Sequence, residues 1–264
     1  METSGCFRMP LTRLVEIKRP DIKAPILIQG VPGLGLVSRI AVGHLVEELK
    51  AEKVAEIYSD WITLPDGSLG VKVEEEDIEV PIYEIYHSKQ EDKDLLLILS
   101  DSQPLPTGQY EIANLLLDYA EKFDVRLVVT LGGYVPESEE VEGVFATSYD
   151  EKLFEELEPL GVKRLQEGYV TGGAGVLVGL AKVRGIPSVC ILATTRGSLP
   201  DPDASIRVLR VLESWLQIKV DYSKLEEMRD AIKRSTVEAE PKSDILEKLQ
   251  KMREKEEKGV PYHL

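Results

Sequence analysis

Residues 25–50 read PILIQGVPGLGLVSRIAVGHLVEELK, which passes from an apolar run through a glycine-rich turn into a helical pattern. The run at residues 26–28 predicts a short strand that is buried on both faces. Beyond the turn, apolar residues recur at roughly helical spacing, at Ile40, Leu45 and Leu49. A strand, a glycine turn and a helix form the opening half of a βαβ unit, so this segment predicts an α/β fold.

The glycines of this turn do not have the spacing of a nucleotide-binding loop. Gly30, Gly33 and Gly35 follow the pattern Gly-x-x-Gly-x-Gly, whereas the dinucleotide fingerprint is Gly-x-Gly-x-x-Gly. The Gly-Lys-Ser/Thr ending of a P-loop is also absent, because Val37 precedes Ser38. A tight turn that lets the helix and the strand pack closely is therefore favoured over a phosphate cradle.

The alternation of strands and helices continues through residue 221. Strands are predicted at residues 54–62, 95–99, 126–131 and 188–193, edge strands at 11–17 and 144–147, and a hairpin at 68–73 and 78–86. Helices are predicted at residues 109–123, at 150–159, in the glycine-rich segment up to 183, and from 202 onward. We therefore predict a mostly parallel sheet with helices on both faces.

The composition changes near Tyr222, which divides the chain into an α/β domain at residues 1–221 and a charged helical tail at 222–264. Acidic and basic residues balance in the tail, so the α/β domain carries the excess negative charge. Two apolar stripes predict two short helices that need a partner surface. These stripes consist of Leu225, Met228 and Ile232, and of Ile245, Leu249 and Met252.

The net charge of −15 argues against two classes of partner. Nucleic acids and anionic membranes attract basic faces, and none is visible in the sequence. The longest apolar stretch, residues 170–183, is too short to span a bilayer, and no signal peptide is evident, so a cytoplasmic protein is expected. Cys190 lies in an apolar run and is predicted to be a buried free thiol.

Polar residues cluster where the predicted parallel strands end, which is where α/β proteins bind ligands. Asp101 could act as a base and Arg196 could hold an anion such as phosphate. Under the same hypothesis, glycines at two turns would cradle phosphate at helix N-termini. These are Gly33, Gly35, Gly172, Gly173 and Gly175. The competing interpretation is ordinary turn chemistry, and the histidines and cysteines lack metal-ligand spacing.

Five segments of the chain resemble the proteasome assembly chaperone family as found in archaea. They read PGLGLV at 32–37, SDSQP at 100–104, LGGY at 131–134, TGGAGVLVGL at 171–180 and LATT at 192–195. The resemblance covers roughly residues 20 to 220. It implies a Rossmann-like domain similar in outline to nucleoside phosphorylases, a homo-oligomer, and an ATP-independent role in assembling proteasome subunits, without a cofactor. Some relatives have been labelled as ATP-grasp ligases, so a nucleotide-dependent enzyme is the alternative that the resemblance leaves open.

The last residues bear on this resemblance. Proteasome activators and related chaperones often end in a hydrophobic residue, tyrosine and any residue, a tail that docks between α-subunits. This chain ends in Pro261, Tyr262, His263 and Leu264, so its tyrosine is third from the end instead of second. Two interpretations remain open. The end of the chain is either a docking tail, with Tyr262 and Leu264 in contact with the partner, or an ordinary apolar terminus.

Three hypotheses follow from the sequence. The first is a non-enzymatic assembly chaperone or adaptor, a homo-oligomer that binds proteasome subunits or other client proteins. The second is a phosphorylase-like or nucleotide-dependent enzyme with a phosphate site at the glycine turns. The third is a structural subunit of a larger assembly. The absence of a strong catalytic motif favours the first hypothesis.

Overall fold

The computed structural model describes residues 11–74, 76–136 and 142–239. The chain divides into two compact units, of which the first ends at Tyr222 and the second begins at Ser223. In the described residues, no helix is both long enough and apolar enough to cross a membrane.

The first unit contains eleven strands in its described residues. In chain order they are β1 (Thr12–Glu16), β2 (Ile26–Gly30), β3 (Glu52–Ser59), β4 (Lys72–Glu74), β5 (Asp77–Glu79), β6 (Tyr83–Lys89), β7 (Asp94–Leu99), β8 (Leu127–Tyr134), β9 (Val144–Ser148), β10 (Lys163–Arg164) and β11 (Ser188–Thr194). Nine of them form one sheet in the order β1-β3-β6-β7-β2-β8-β11-β9-β10, and β4 pairs with β5 in a separate ribbon.

The predicted α/β sheet is confirmed, and its parallel part lies at the centre. Strands β7, β2, β8 and β11 are parallel neighbours, and β2 and β11 are buried along their whole length. The strands β1, β3 and β6 extend one side by antiparallel pairing, and β9 joins β11 antiparallel on the other. The sheet is therefore mixed, with a parallel core of four strands.

The helices cover both faces of the sheet, as predicted. They are α1 (Val37–Glu48), α2 (Gln109–Glu121), α3 (Glu151–Leu157), α4 (Gly172–Val183) and α5 (Pro202–Leu216). The second unit is described by itself and contains the helix α6 (Ser223–Ala239). The pair α2 and α4 packs on one face and shares a core cluster with Leu27, Leu96 and Val128. The pair α1 and α5 packs on the other face. Cys190 is a buried free thiol in β11, as predicted, and burial raises its pKa to about 11.

Two predicted elements need correction. The hairpin at residues 68–73 and 78–86 is shorter than predicted, because its second half separates into β5 and β6 around Pro81, which has no backbone N–H to donate. The strand predicted at the edge near residue 144 is an inner one, since β9 lies between β11 and β10. The outermost strand β10 has only two residues, both exposed, and so gives no sequence signal.

The opening segment has the predicted strand–turn–helix form, and Gly30 sets the distance between the strand and the helix. A Cβ atom at Gly30 would lie 2.3 Å from Val42 Cβ and 2.7 Å from the carbonyl oxygen of Ser38, both in α1. Ser38 in turn donates a hydrogen bond from Oγ to the carbonyl oxygen of Val31. The glycine is required because the helix backbone lies directly against the end of β2.

We expect Gly30→Ala to lower the free energy of unfolding by about 1–3 kcal/mol, because the added methyl group overpacks a rigid contact. Denaturant unfolding measures the change. Gly179→Ala is the matched control, because a Cβ at Gly179, in α4, would meet nothing within 4 Å. Alanine has a better helix propensity than glycine, so we expect this variant to raise the free energy of unfolding by up to about 1 kcal/mol. Equal stability of Gly30→Ala and the natural chain would contradict the packing assigned to Gly30.

Candidate functional site

The carboxyl ends of the four parallel strands lie at one edge of the sheet. The chain leaves β2 toward α1 on one face and leaves β7 toward α2 on the other. The adjacent strands β2 and β7 therefore form a topological switch point, where open α/β sheets usually have a ligand-binding crevice. The segments that border it are residues 31–36, after β2, and residues 100–105, after β7.

Side chains of the protein itself connect the two sides of this switch point. Gln103 donates from Nε2 to the carbonyl oxygen of Pro32 and accepts at Oε1 from the N–H of Gly173, at 3.0 Å. Arg39 donates from Nε and Nη2 to Asp101 Oδ1, at 2.9 and 2.6 Å. A glutamine bridge and an ion pair thus connect the segments on the two sides of the switch point.

The first glycine turn lies against the segment that follows β11. Gly35 has a φ of +62°, and a Cβ there would lie 2.6 Å from Thr195 Oγ1. The carbonyl oxygen of Gly35 accepts a hydrogen bond from the N–H of Asp201 at 2.8 Å. By contrast, Gly33 is extended, with a φ of −164°, and a Cβ there would meet nothing within 4 Å. Of Gly33 and Gly35, only Gly35 must be glycine, because Thr195 approaches it closely.

Asp201 holds this segment in place, and the sequence reasoning did not select it. Its Oδ2 accepts a hydrogen bond from Thr195 Oγ1 at 2.7 Å, and its Oδ1 accepts one from the N–H of Ala204 at 2.8 Å. The second bond caps α5, whose first residue is Pro202. An aspartate directly before a proline that opens a helix is a recognisable N-cap signal, so the sequence did contain this information.

The second group of glycines lies at the start of α4. Gly172 has a φ of +69°, and a Cβ there would lie 2.4 Å from Gln103 Oε1. A Cβ at Gly175 would lie 1.9 Å from the carbonyl oxygen of Val170, so this position admits only glycine without a shift of the backbone. The N–H of Gly173 already donates to Gln103. These glycines have local roles in a tightly folded helix start.

The structure does not bring Asp101 and Arg196 together. Asp101 follows β7 and Arg196 follows β11, with β2 and β8 between them in the sheet. Three strand spacings separate the two positions by roughly 14 Å. The side chain of Asp101 is 65% exposed, so its ion pair with Arg39 contributes little to stability. The two residues therefore lie at the ends of different strands, and neither contacts the other.

A cleft of about 500 Å³ lies beside the sheet, and Asp101 is the one predicted site residue that lines it. Its charged groups are paired with one another: Lys53 bonds Glu84, and also Glu56 at 3.1 Å. Although burial works against the charge of Lys53, the hydrogen bonds and charges of these carboxylates raise its pKa, so it stays an ammonium group. In the described part of the chain no cluster of His, Cys, Asp and Glu could hold a metal ion.

Exposed apolar side chains follow every one of the four parallel strands. They are Leu34 and Leu36 after β2, Leu105 and Tyr110 after β7, Val135 after β8 and Leu199 after β11. Gly197 lies between two of these segments, since a Cβ there would approach Val135 and Leu34 side chains within 3.3 Å. Apolar surface at a single edge is typical of a site that binds another protein.

The predicted tail residues divide between described and undescribed parts of the chain. Leu225, Met228 and Ile232 lie on α6, which confirms a helix at the first stripe. The remaining predicted contacts lie outside the described residues: Ile245, Leu249, Met252, Tyr262 and Leu264.

We expect Asp201→Ala to destabilise the protein by about 2 kcal/mol, because it removes a helix cap and the partner of Thr195. Asp150→Ala is the matched control, since Asp150 caps α3 through one hydrogen bond from the N–H of Lys152 at 3.0 Å, and typical N-caps are worth about 1 kcal/mol. Denaturant unfolding of both variants gives the comparison. A smaller loss for Asp201→Ala than for Asp150→Ala would contradict the role of Asp201 between the two segments.

Two solved structures from Pyrococcus furiosus are similar to this chain. PbaB, described as an archaeal proteasome activator, is 32% identical with a TM-score of 0.79, over 87% of this chain and 99% of PbaB. PbaA, described as an archaeal homolog of proteasome-assembly chaperone, is 27% identical with a TM-score of 0.73, over 94% of this chain and 96% of PbaA. Both likenesses extend over nearly the whole fold.

Comparisons of sequence give a consistent assignment. An uncharacterized protein of Methanocaldococcus jannaschii is 30% identical over 224 residues, which are 82% of this chain and 83% of that protein. The model of the PAC2 family matches residues 27–240. On this evidence, the chain belongs to the PAC2 family.

Proposed function

We propose that this protein is an ATP-independent proteasome assembly chaperone or adaptor that binds proteasome subunits, or related client proteins, as a homo-oligomer. The observation that carries the proposal is the likeness to PbaB, with 32% identity over 87% of this chain. That protein is described as a proteasome activator, and PbaA as a homolog of a proteasome-assembly chaperone. We propose that this chain makes a related contact with the proteasome.

The geometry of the strand ends supports a binding protein more than an enzyme. At the switch point, Gln103 and the Arg39–Asp101 pair connect the segments that would border a ligand. The neighbouring surface exposes apolar side chains, of which Leu34 is 49% and Tyr110 62% exposed. A protein partner would cover such a surface, whereas a small polar substrate would gain little from it.

We assign the recognition of the proteasome to the tail and oligomerisation to the α/β domain. The tail carries its apolar residues in two stripes and at its end, with Tyr262 and Leu264 as the proposed contacts. Tyrosine is a frequent hot-spot residue, because it presents a large apolar area and one hydroxyl group. In this proposal the tyrosine reaches its pocket although two residues follow it.

One observation favours the alternative of a small-molecule site at the glycine turns. Gln29 is 2% exposed, and its Oε1 accepts no hydrogen bond from the described residues. A Cβ at Gly173 would lie 3.5 Å from its Nε2, so this amide faces the start of α4. Titration calorimetry with phosphate, nucleosides and ATP tests the alternative. Our proposal predicts no heat of binding, and heat that is lost in Gln29→Leu would support the enzyme.

We expect Tyr262→Ala to weaken binding to proteasome α-subunits at least tenfold, because the substitution removes the proposed aromatic anchor. Size-exclusion chromatography with light scattering shows whether the full chain co-elutes with α-subunits and whether each variant keeps its oligomer. Tyr169→Ala is the matched control, since Tyr169 is an exposed tyrosine of the α/β domain, at 96%.

The outcomes separate the parts of the proposal. If the natural chain fails to co-elute with α-subunits, the assignment of a proteasome partner is wrong. If Tyr262→Ala co-elutes like the natural chain, the tail is not the recognition element. If Tyr262→Ala loses the oligomer as well, the division of roles between tail and domain is wrong.

A further inference from the structure

The ribbon formed by β4 and β5 has one apolar face that is open to solvent. Apolar residues alternate along both strands, and the register places Val73 opposite Ile78 and Lys72 opposite Glu79. Val71 and Val80 continue the same register, so their side chains share the face of Val73 and Ile78. Leu69 precedes these residues in the chain and completes the apolar set. The exposed fractions are 77% for Leu69, 44% for Val71, 70% for Val73, 66% for Ile78 and 47% for Val80.

This arrangement is unusual for a short ribbon. An isolated two-stranded ribbon is marginally stable in water, and most ribbons gain stability when their apolar face packs on the protein. Here the charged face has internal partners, because Lys72 pairs with Glu74 and lies 3.8 Å from Glu79. The apolar face has five neighbouring side chains that are 44–77% exposed. A contiguous apolar strip of this kind indicates a surface that a partner covers.

The charge around the strip identifies the kind of partner. Residues 66–81 contain six acidic residues and one basic residue, a net charge of −5, which is one third of the −15 of the whole chain. Nucleic acids and anionic membranes are repelled by this rim. A second copy of the chain would place two such acidic rims together, and the repulsion between like charges disfavours that pairing.

We infer that the apolar face of the β4–β5 ribbon docks into an apolar groove of a partner protein that has lysine and arginine residues at its rim. Charge complementarity between the rims aligns the ribbon, and the five apolar side chains supply the buried contact. The inference rests on the proposed function, under which the groove lies on a proteasome subunit. It adds a second contact, on the α/β domain, to the one assigned to the tail.

The test measures the affinity of the full chain for proteasome α-subunits by surface plasmon resonance. The double variant Val73→Thr and Ile78→Thr removes apolar surface and keeps a residue type that favours strands. Leu69→Ser is a second variant outside the paired residues, so it changes no hydrogen bond of the ribbon ladder. Val183→Thr is the matched control, because Val183 is 82% exposed on α4.

We expect both ribbon variants to bind at least tenfold more weakly, with the thermal unfolding and the oligomer unchanged, and Val183→Thr to bind like the natural chain. The neutralising pair Glu74→Gln and Asp77→Asn should weaken binding at low salt and have little effect at high salt, where the rim is already screened.

Three results would overturn the inference, and they differ in what else they reject. If the natural chain binds and the ribbon variants bind equally well, the ribbon is not a contact, while the proposed function stands. If the natural chain does not bind α-subunits at all, the proposed function and the inference both fail. If a ribbon variant and the control Val183→Thr both lose binding, the cause is a general effect of surface polarity, and the ribbon is not a specific contact.

Discussion

The rest of the structure depends on the direct contact between the end of β2 and the helix α1. Gly30 has no side chain, so Val42 and the backbone at Ser38 occupy the space where a Cβ would lie. This contact fixes the course of residues 31–36, which then meet Asp201 through Gly35 and Gln103 through Pro32. A single close approach of strand and helix therefore positions the segments after three of the four parallel strands.

The same constraint explains how the protein links the two sides of the switch point. With residues 31–36 held against α1, Gln103 bonds both Pro32 and Gly173, so hydrogen bonds of the protein itself bridge the segments after β2 and β7. This edge of the fold binds substrates in many enzymes, and we propose that here it presents side chains to a protein partner. The exposed apolar residues after the parallel strands and on the ribbon are the surfaces that we propose for partners.

The sequence predicted the central elements because their signals are local. The buried strands β2, β7, β8 and β11 are short apolar runs between turns, and α2 and α5 have clear apolar stripes. The role of Gly30 as a packing glycine was also readable from its position. By contrast, Gln103 and Gly173 are 70 residues apart, and the separation of Asp101 from Arg196 depends on the strand order, which no local pattern encodes. Asp201 has a local N-cap signal before Pro202, but its bond to Thr195 depends on the folding of the segment after β11 against α5, which that signal does not encode.

We propose that this protein acts through its surfaces on another protein and binds no small molecule at its strand ends. Hydrogen–deuterium exchange of the full chain, alone and with proteasome α-subunits, phosphate or ATP, tests it most directly. We expect slower exchange with α-subunits in peptides covering residues 66–81 and the C-terminal residues, and no change with phosphate or ATP. Slower exchange of residues 31–36 and 172–175 with phosphate or ATP, and none with α-subunits, would contradict it.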